Sequence, residues 1–242
     1  MTPLWAYEAA RDFWARAGGP PPDFPRDLRQ SVALALPLAV VGLPRLRLDA
    51  IRNWLRARGS AFELTTPDRR LHACLVARGG EGIVFLDGAD PEDERRYSLA
   101  HEVAHFLVEH EIPRRRAEQA LGAGVLEVLD GQRSPTPIER TDALLAGTSF
   151  RMDVHYLDRG ALGLPECFET SLAEQRAEVL AFELLAPMDA LASFIDDGTD
   201  DAQLACVLAS DFGLPAPMAH HWARQLLPSS PSTDLFHRLR PG

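Results

Sequence analysis

The sequence predicts a mostly helical α+β fold with a small antiparallel sheet and a helical C-terminal lobe. Two observations lead to this prediction. Apolar residues recur at helical spacing in several segments, and three short strand-like runs lie at 61–65, 71–77 and 82–86. Because short turns containing Gly, Pro or Asp separate these runs, we expect neighbouring runs to pair in antiparallel fashion.

Three helical segments are predicted before the strands. The first, 2–17, carries aromatic and aliphatic side chains at helical spacing and stops at a Gly-Gly-Pro-Pro-Pro run. A short second helix is expected between residues 24 and 36, and a third over 48–58, where Gly59 ends the pattern. Residues 37–44 lie between the second and third helices and are predicted to form an extended connector.

Length and composition limit the possible functions. A chain of 242 residues is long enough for one domain with an added lobe. The net charge of −10 counts against nucleic acid as a direct partner, because phosphate contacts need a basic surface. No apolar stretch is long enough to span a membrane, and the first residues lack the layout of a signal peptide, so we expect a cytoplasmic protein.

The most informative stretch is a His-Glu-x-x-His sequence that begins at His101, within a segment that has the pattern of an amphipathic helix. Residues four apart share a helix face, so His101 and His105 can direct their rings to one metal ion. Glu102 is offset around the helix, where its carboxylate can reach a water molecule on that metal. Asp90 is expected to cap this helix, with Pro91 in the first helical position.

A third ligand must come from elsewhere, because a catalytic zinc ion takes three protein ligands and leaves one position for water. The segment 171–187 is strongly helical, and Glu174 and Glu178 share one of its faces, one turn apart. One carboxylate can bind the metal while the other accepts the remaining ring N–H of a ligating histidine. Exposed glutamates are common on helices, so this interpretation depends on the two histidines.

Two segments resemble the ImmA/IrrE family of bacterial and phage zinc metallopeptidases. They are RYSLAHEVAHF at 96–106 and, at 174–187, a glutamate followed by spaced alanines and the run AFELLAP. The order of helix, small sheet, histidine helix and glutamate helix is also similar. The resemblance implies a zincin-like metallopeptidase domain that binds one zinc ion per chain, with His101, His105 and Glu174 as the ligands.

By the same resemblance, Glu102 is the catalytic glutamate, which leaves Glu178 to hold a ligating histidine. The family commonly has Asn or Asp at this second position. The two motifs lie much farther apart than is usual in the family, which indicates an insertion at about 111–170. The predicted domains are therefore 1–190, which includes this insertion, and a helical lobe with a tail over 191–242.

The resemblance implies a zinc-dependent endopeptidase that cleaves a specific protein. In this family the substrate is typically a helix-turn-helix repressor, and cleavage relieves repression in a stress, DNA-damage or mobile-element response. Two alternatives stay open. One is a non-proteolytic regulatory protein that keeps the fold, and the other is a DNA-binding regulator that uses the helices predicted at 201–212 and 216–227.

Two further features of the site are predicted. Enzymes of this type often use a His or Tyr to stabilise the oxyanion; His155 and Tyr156 are candidates, and His72 or His220 would serve equally on sequence alone. The strand at 82–86 is a candidate edge strand that holds the substrate backbone by strand addition, with an ordinary inner strand as the alternative.

Overall fold

The computed structural model describes residues 2–60, 67–145, 156–157, 168–196 and 198–227; for 142–145, 156–157 and 168–170 it describes the backbone only. The fold is α+β, with helices packed on both faces of a small mixed sheet. Among the helices in these ranges, none combines the length and hydrophobicity needed to cross a bilayer.

Helices occur in the segments where the sequence predicts them, with some differences in their ends, and also at 137–145 and 188–191, where none was predicted. They are α1 (Leu4–Arg16), α2 (Arg29–Ala35), α3 (Leu48–Arg56), α4 (Glu92–His105), α5 (Ile112–Leu121), α6 (Val125–Leu129), α7 (Pro137–Leu145), α8 (Phe168–Leu185), α9 (Met188–Leu191), α10 (Asp201–Ser210) and α11 (Ala216–Leu226). A π-helical turn at Phe106–Glu111 joins α4 to α5.

The sheet contains β1 (Leu38–Leu43), β2 (Ala73–Arg78), β3 (Glu81–Asp87) and the two-residue β4 (Tyr156–Leu157), in the order β1-β3-β2-β4. Strands β2 and β3 form an antiparallel hairpin, and β4 is antiparallel to β2. Strand β1, however, is parallel to β3. The predicted strand at 61–65 lies outside the described residues.

The prediction of a purely antiparallel sheet is therefore wrong, because residues 38–43, within the predicted connector at 37–44, form a strand parallel to β3. Pro37 and Pro44 suggested a connector, but both lie just outside the strand and remove no hydrogen bond from its ladder. Between them, the run Leu-Ala-Val-Val-Gly-Leu suits a half-buried pleated strand.

Strand β3 lies inside the sheet, between β1 and β2. Strand β1 pairs with it from Gly82 to Asp87, which occupies the edge that a substrate would need. The prediction of residues 82–86 as an edge strand is wrong, and the inner-strand alternative is confirmed. The sequence did not reveal this because the partner of β3 on that side was interpreted as a connector.

The two faces of the sheet contact different helices. Because side chains alternate along a strand, Leu75 and Val84 face the main core, which includes α1, α4, α8, α10 and α11. Cys74 and Phe85 face the opposite way and pack against α3 in a smaller cluster. The back of α4 is therefore fixed against one face of the β2–β3 hairpin.

Helix α4 begins without a side-chain cap, so the predicted capping role of Asp90 is wrong. The Asp90 carboxylate instead accepts hydrogen bonds from Arg70 at 3.3 Å and lies 2.7 Å from Nδ1 of His72. Three acidic residues occupy the first turn of α4, where the positive end of the helix dipole favours them. Pro91 is the residue immediately before the helix.

The C-terminal helices share the main core with α4 and α8. Phe182 of α8 stacks on Trp222 of α11 with ring centroids 4.2 Å apart. At the turn between α10 and α11, the Arg96 side chain of α4 donates a hydrogen bond to the carbonyl oxygen of Gly213 at 3.0 Å. These contacts join α8 and α4 to the C-terminal helices.

Candidate metal centre

The candidate site lies where α4 packs against α8. Ala177 and Ala181 of α8 are fully buried, and their small side chains allow the two helices to approach closely. Glu174, one turn before Ala177, reaches the face of α4 that carries His101 and His105. The third ligand predicted from the sequence is therefore brought to the two histidines by helix packing.

Three side chains converge on one point. The Nε2 atoms of His101 and His105 are 3.0 Å apart. The Oε2 atom of Glu174 lies 3.2 Å from Nε2 of His101, and its Oε1 atom lies 3.5 Å from Nε2 of His105. The possible ligand atoms all lie within 4.8 Å of one another, so this group could hold a metal ion. Within the described ranges, no other group of three or more His, Cys, Asp or Glu side chains does so.

The environment of the group favours positive charge. Burial by itself would lower the pKa of His105, but hydrogen bonds with Glu109 and Glu174 outweigh burial and raise this pKa to about 9. Burial would raise the pKa of Glu174, yet its contacts with His101 and His105 hold that pKa well below its usual range. The carboxylate is therefore ionised, which is the form that binds a cation.

The donor set and its surroundings fit a metal ion of the zinc type. Both histidine residues are 1% exposed, and the Glu174 side chain is 20% exposed, so the group is buried but open on one side. Two imidazole nitrogens and one carboxylate form a known three-ligand set for catalytic zinc. Ca²⁺ and Mg²⁺ prefer sites made of oxygen ligands only.

Glu102 lies beside the group in the position that the sequence predicts. It directly follows His101 on α4 and is 4% exposed. Its negative charge contributes to the raised pKa of His105. Burial is the main cause of the raised pKa of the Cys74 thiol on β2, and the charge of Glu102 adds to it. The Glu102 carboxylate is therefore near enough to both the His105 ring and the Cys74 thiol to influence their charges.

Sequence reasoning missed Glu109. This residue lies in the π-helical turn, and its Oε1 atom is 3.4 Å from Nδ1 of His105. It is four residues after His105, a spacing that places two side chains on the same helix face. This spacing is visible in the sequence, but Glu178, one turn from Glu174 on the glutamate helix, is an equally plausible partner there.

The remaining predicted residues lie in different places. Glu178 is half-buried on α8, one turn after Glu174, and its role as partner of a histidine stays a prediction. Tyr156 lies in β4 opposite Val76 of β2, and its side chain is outside the described part of the chain. His155 lies outside the described residues altogether.

The two other histidines considered for the oxyanion have different surroundings. His72 pairs with Asp90, before α4 begins, so more than two helical turns of α4 separate that pair from His101. His220 is exposed on α11. Neither is among the residues that converge on the metal-binding group.

Comparisons of the chain with protein-family models, curated proteins and solved structures find no match in any of the three. The geometry above and the resemblance of residues 96–106 and 174–187 are therefore the two observations that bear on function.

Proposed function

We propose that this protein is a zinc-dependent endopeptidase with a zincin-like fold, in which His101, His105 and Glu174 bind one zinc ion. The observation that carries this proposal is the convergence of these three side chains, from two helices, beside the buried carboxylate of Glu102. The resemblance of the two helices to those of ImmA/IrrE metallopeptidases supports the same assignment.

Glu102 favours hydrolysis over other uses of this ligand set. Two histidines and one carboxylate also hold iron in non-haem oxygenases. A carboxylate directly after the first histidine, which could serve as a general base, is characteristic of zinc peptidases. The buried position of Glu102 near the converging ligands therefore favours activation of a water molecule.

In the proposed mechanism, bound zinc supplies Lewis-acid activation of a water molecule and of the scissile carbonyl group. One Oε atom of Glu102 accepts a proton from the water during its attack and donates that proton to the leaving amine. Because Glu102 is buried, bulk water does not compete for this proton. His155 and Tyr156 remain the proposed donors to the oxyanion, and Glu178 a proposed partner of a ligating histidine.

The proposed substrate is a protein, and by the family resemblance a helix-turn-helix repressor whose cleavage relieves repression in the cytoplasm. The net charge of −10 suits a basic, DNA-binding substrate. It does not suit direct DNA binding by α10 and α11, because α10 has no Lys or Arg and α11 has Arg224 alone.

Metal analysis tests the proposal. Wild-type protein, His101→Ala and Glu174→Ala would be purified, reconstituted with zinc and measured by elemental mass spectrometry. We expect about one zinc ion per chain in the wild type and a large loss in both variants, because each removes one of three ligands. Wild-type protein that binds no zinc after reconstitution would contradict the proposal. If His101→Ala loses zinc but Glu174→Ala retains it, Glu178 replaces Glu174 as the proposed third ligand.

A further inference from the structure

Glu109 and Glu174 lie on opposite sides of the His105 ring. Glu174 faces Nε2, the atom directed at the converging ligands, at 3.5 Å. Glu109 faces Nδ1, the other ring nitrogen, at 3.4 Å. The ring is therefore held between two carboxylates, one on each nitrogen, which fixes both its rotation and the nitrogen that is available for a metal.

The backbone around Glu109 is anchored in the core. The three residues before it in the π-helical turn, Phe106, Leu107 and Val108, are buried, and the Glu109 side chain is 12% exposed. This anchoring limits the conformations open to the Glu109 carboxylate. Single π-helical turns within α-helices are frequent at functional sites, where they adjust the direction of a side chain.

A histidine that binds a metal through Nε2 carries its proton on Nδ1, and an acceptor for that proton selects this tautomer and orients the ring. We propose that Glu109 is a positioning residue for His105: its Oε1 atom accepts the Nδ1–H and so directs Nε2 toward the metal. This inference extends the proposed function and depends on it, because the role has meaning only if His105 is a metal ligand.

Glu111 provides a matched control in the same π-helical turn. Its side chain is also 12% exposed, but it pairs with Arg16 at 2.8 Å and with Arg115 at 3.2 Å. Replacing Glu111 therefore removes a carboxylate of equal exposure from the same turn, together with two ion pairs, and leaves the Glu109–His105 contact in place.

The test is the zinc dissociation constant, measured by competition with a chromophoric chelator, for wild type, Glu109→Ala, Glu109→Gln and Glu111→Ala. Loss of such a partner typically weakens metal binding about 10- to 100-fold, and we expect this weakening for Glu109→Ala. Glu109→Gln should recover most of the affinity, because its carboxamide oxygen still accepts the Nδ1–H. Glu111→Ala should bind zinc like the wild type, even if urea unfolds it more easily.

Any one of three results would overturn the inference. The first is that Glu109→Ala binds zinc as tightly as the wild type does, and the second is that Glu109→Gln binds zinc as weakly as Glu109→Ala does. The third is a loss of zinc affinity in Glu111→Ala equal to the loss in Glu109→Ala. These results leave the proposed function intact, because the wild type still binds zinc in each of them. A wild type that takes up no zinc overturns the proposed function, and the role of Glu109 with it.

Discussion

In the proposed mechanism, Glu102 is the residue at which metal binding and catalysis can be separated. It directly follows the proposed ligand His101 in the chain, yet its proposed role is proton transfer and not metal coordination. A substitution there should therefore leave the zinc ligands in place. The same substitution also separates the proposed peptidase from the alternative of a non-proteolytic regulator that keeps the fold.

We expect Glu102→Gln to retain zinc and to lose peptide-bond hydrolysis by about 10²-fold to 10⁴-fold, the usual contribution of a general base. The measurement is cleavage of small helix-turn-helix repressors, chosen from genes adjacent to that of the protein and analysed by mass spectrometry. Glu94→Gln, in the first turn of the same helix, is the control and should behave like the wild type. Full biological activity of Glu102→Gln would support the non-proteolytic alternative.

Asp87, which is not part of the candidate metal centre, should make the free energy of unfolding depend on pH in the acid range. Its side chain is fully buried, and Oδ1 accepts the backbone N–H groups of Arg45 and Ala89, both at 2.9 Å. Burial would raise the pKa of Asp87, but these hydrogen bonds, together with one from the backbone of Leu46 and the charge of Arg70, hold it below the ordinary value for an aspartic acid. Because folding lowers this pKa, the unfolded chain binds the proton more readily.

The stabilisation from Asp87 should therefore be complete well above the ordinary pKa of an aspartic acid and be lost as the pH falls through the lower pKa of the folded state. Asp87→Asn removes the titration while its carbonyl oxygen can still accept both backbone N–H groups. We expect the free energy of unfolding in urea, measured from pH 6 to pH 2.5 with a chelator present, to fall more steeply for wild type than for Asp87→Asn. Parallel pH profiles would contradict this account.

At the residue scale, the predictable part of the site was the part set by local spacing. His101, Glu102 and His105 could be identified because helix periodicity alone places them. Glu174 required a second helix and was found through its pairing with Glu178 and the family resemblance. The contacts of Asp90 with His72 and Arg70 could not be predicted, because they depend on how a strand and a loop meet in space.

At the element scale, the helices were predictable and the sheet was predictable only in part. The β2–β3 hairpin has a tight turn and is local, so its antiparallel pairing followed from the sequence. The parallel partner β1 was missed, because a parallel pair joins segments distant in the chain and has no turn that marks it. The sequence also predicts one helical stretch over 114–129, whereas the structure divides it into α5 and α6 at Gly122, which has a φ of 81°.

The turn between α10 and α11 depends on a glycine. Gly213 has a φ of 67°, and a Cβ atom there would lie 2.7 Å from Cβ of Pro25 and 2.5 Å from Nη1 of Arg96. We expect Gly213→Ala to lower the free energy of unfolding by about 2–4 kcal/mol, combining left-handed backbone strain with overpacking. Urea denaturation monitored by circular dichroism measures the effect.

Gly18, which follows α1 and has the hydrogen bonds of a Schellman motif, is the matched control for this prediction. It also has a positive φ, but a Cβ atom there would meet nothing within 4 Å. Gly18→Ala should therefore show the backbone strain alone, about 1–2 kcal/mol. Equal losses in the two variants would mean that contacts with Pro25 and Arg96 do not limit residue 213.

At the scale of the whole molecule, the proposed zinc ion would join two helices that are distant in sequence. Two of its ligands belong to α4, and the third, Glu174, belongs to α8. A ligand that binds the folded state alone stabilises that state by an amount that grows with its concentration. Zinc should therefore stabilise the entire fold, because α4 and α8 share the main core.

We expect zinc at 100 times its dissociation constant to add about 2.7 kcal/mol to the free energy of unfolding, with a higher Tm. Thermal unfolding with zinc and with a chelator measures this gain, and Glu174→Ala should show little of it under the same conditions. An unchanged wild-type Tm at saturating zinc would contradict the assignment of ligands on both helices.

The parallel pairing of β1 with β3 also has a consequence for the order of folding events. The hairpin and α4 follow one another directly in the chain, whereas β1 must close a loop that contains α3 and β2 before it can pair. Loop closure makes such distant contacts slow to form, so we expect the hairpin with α4 to assemble first and β1 to join later. Glu174 is more distant still. The nascent protein would therefore present His101 and His105 together on a formed helix before their third partner arrives.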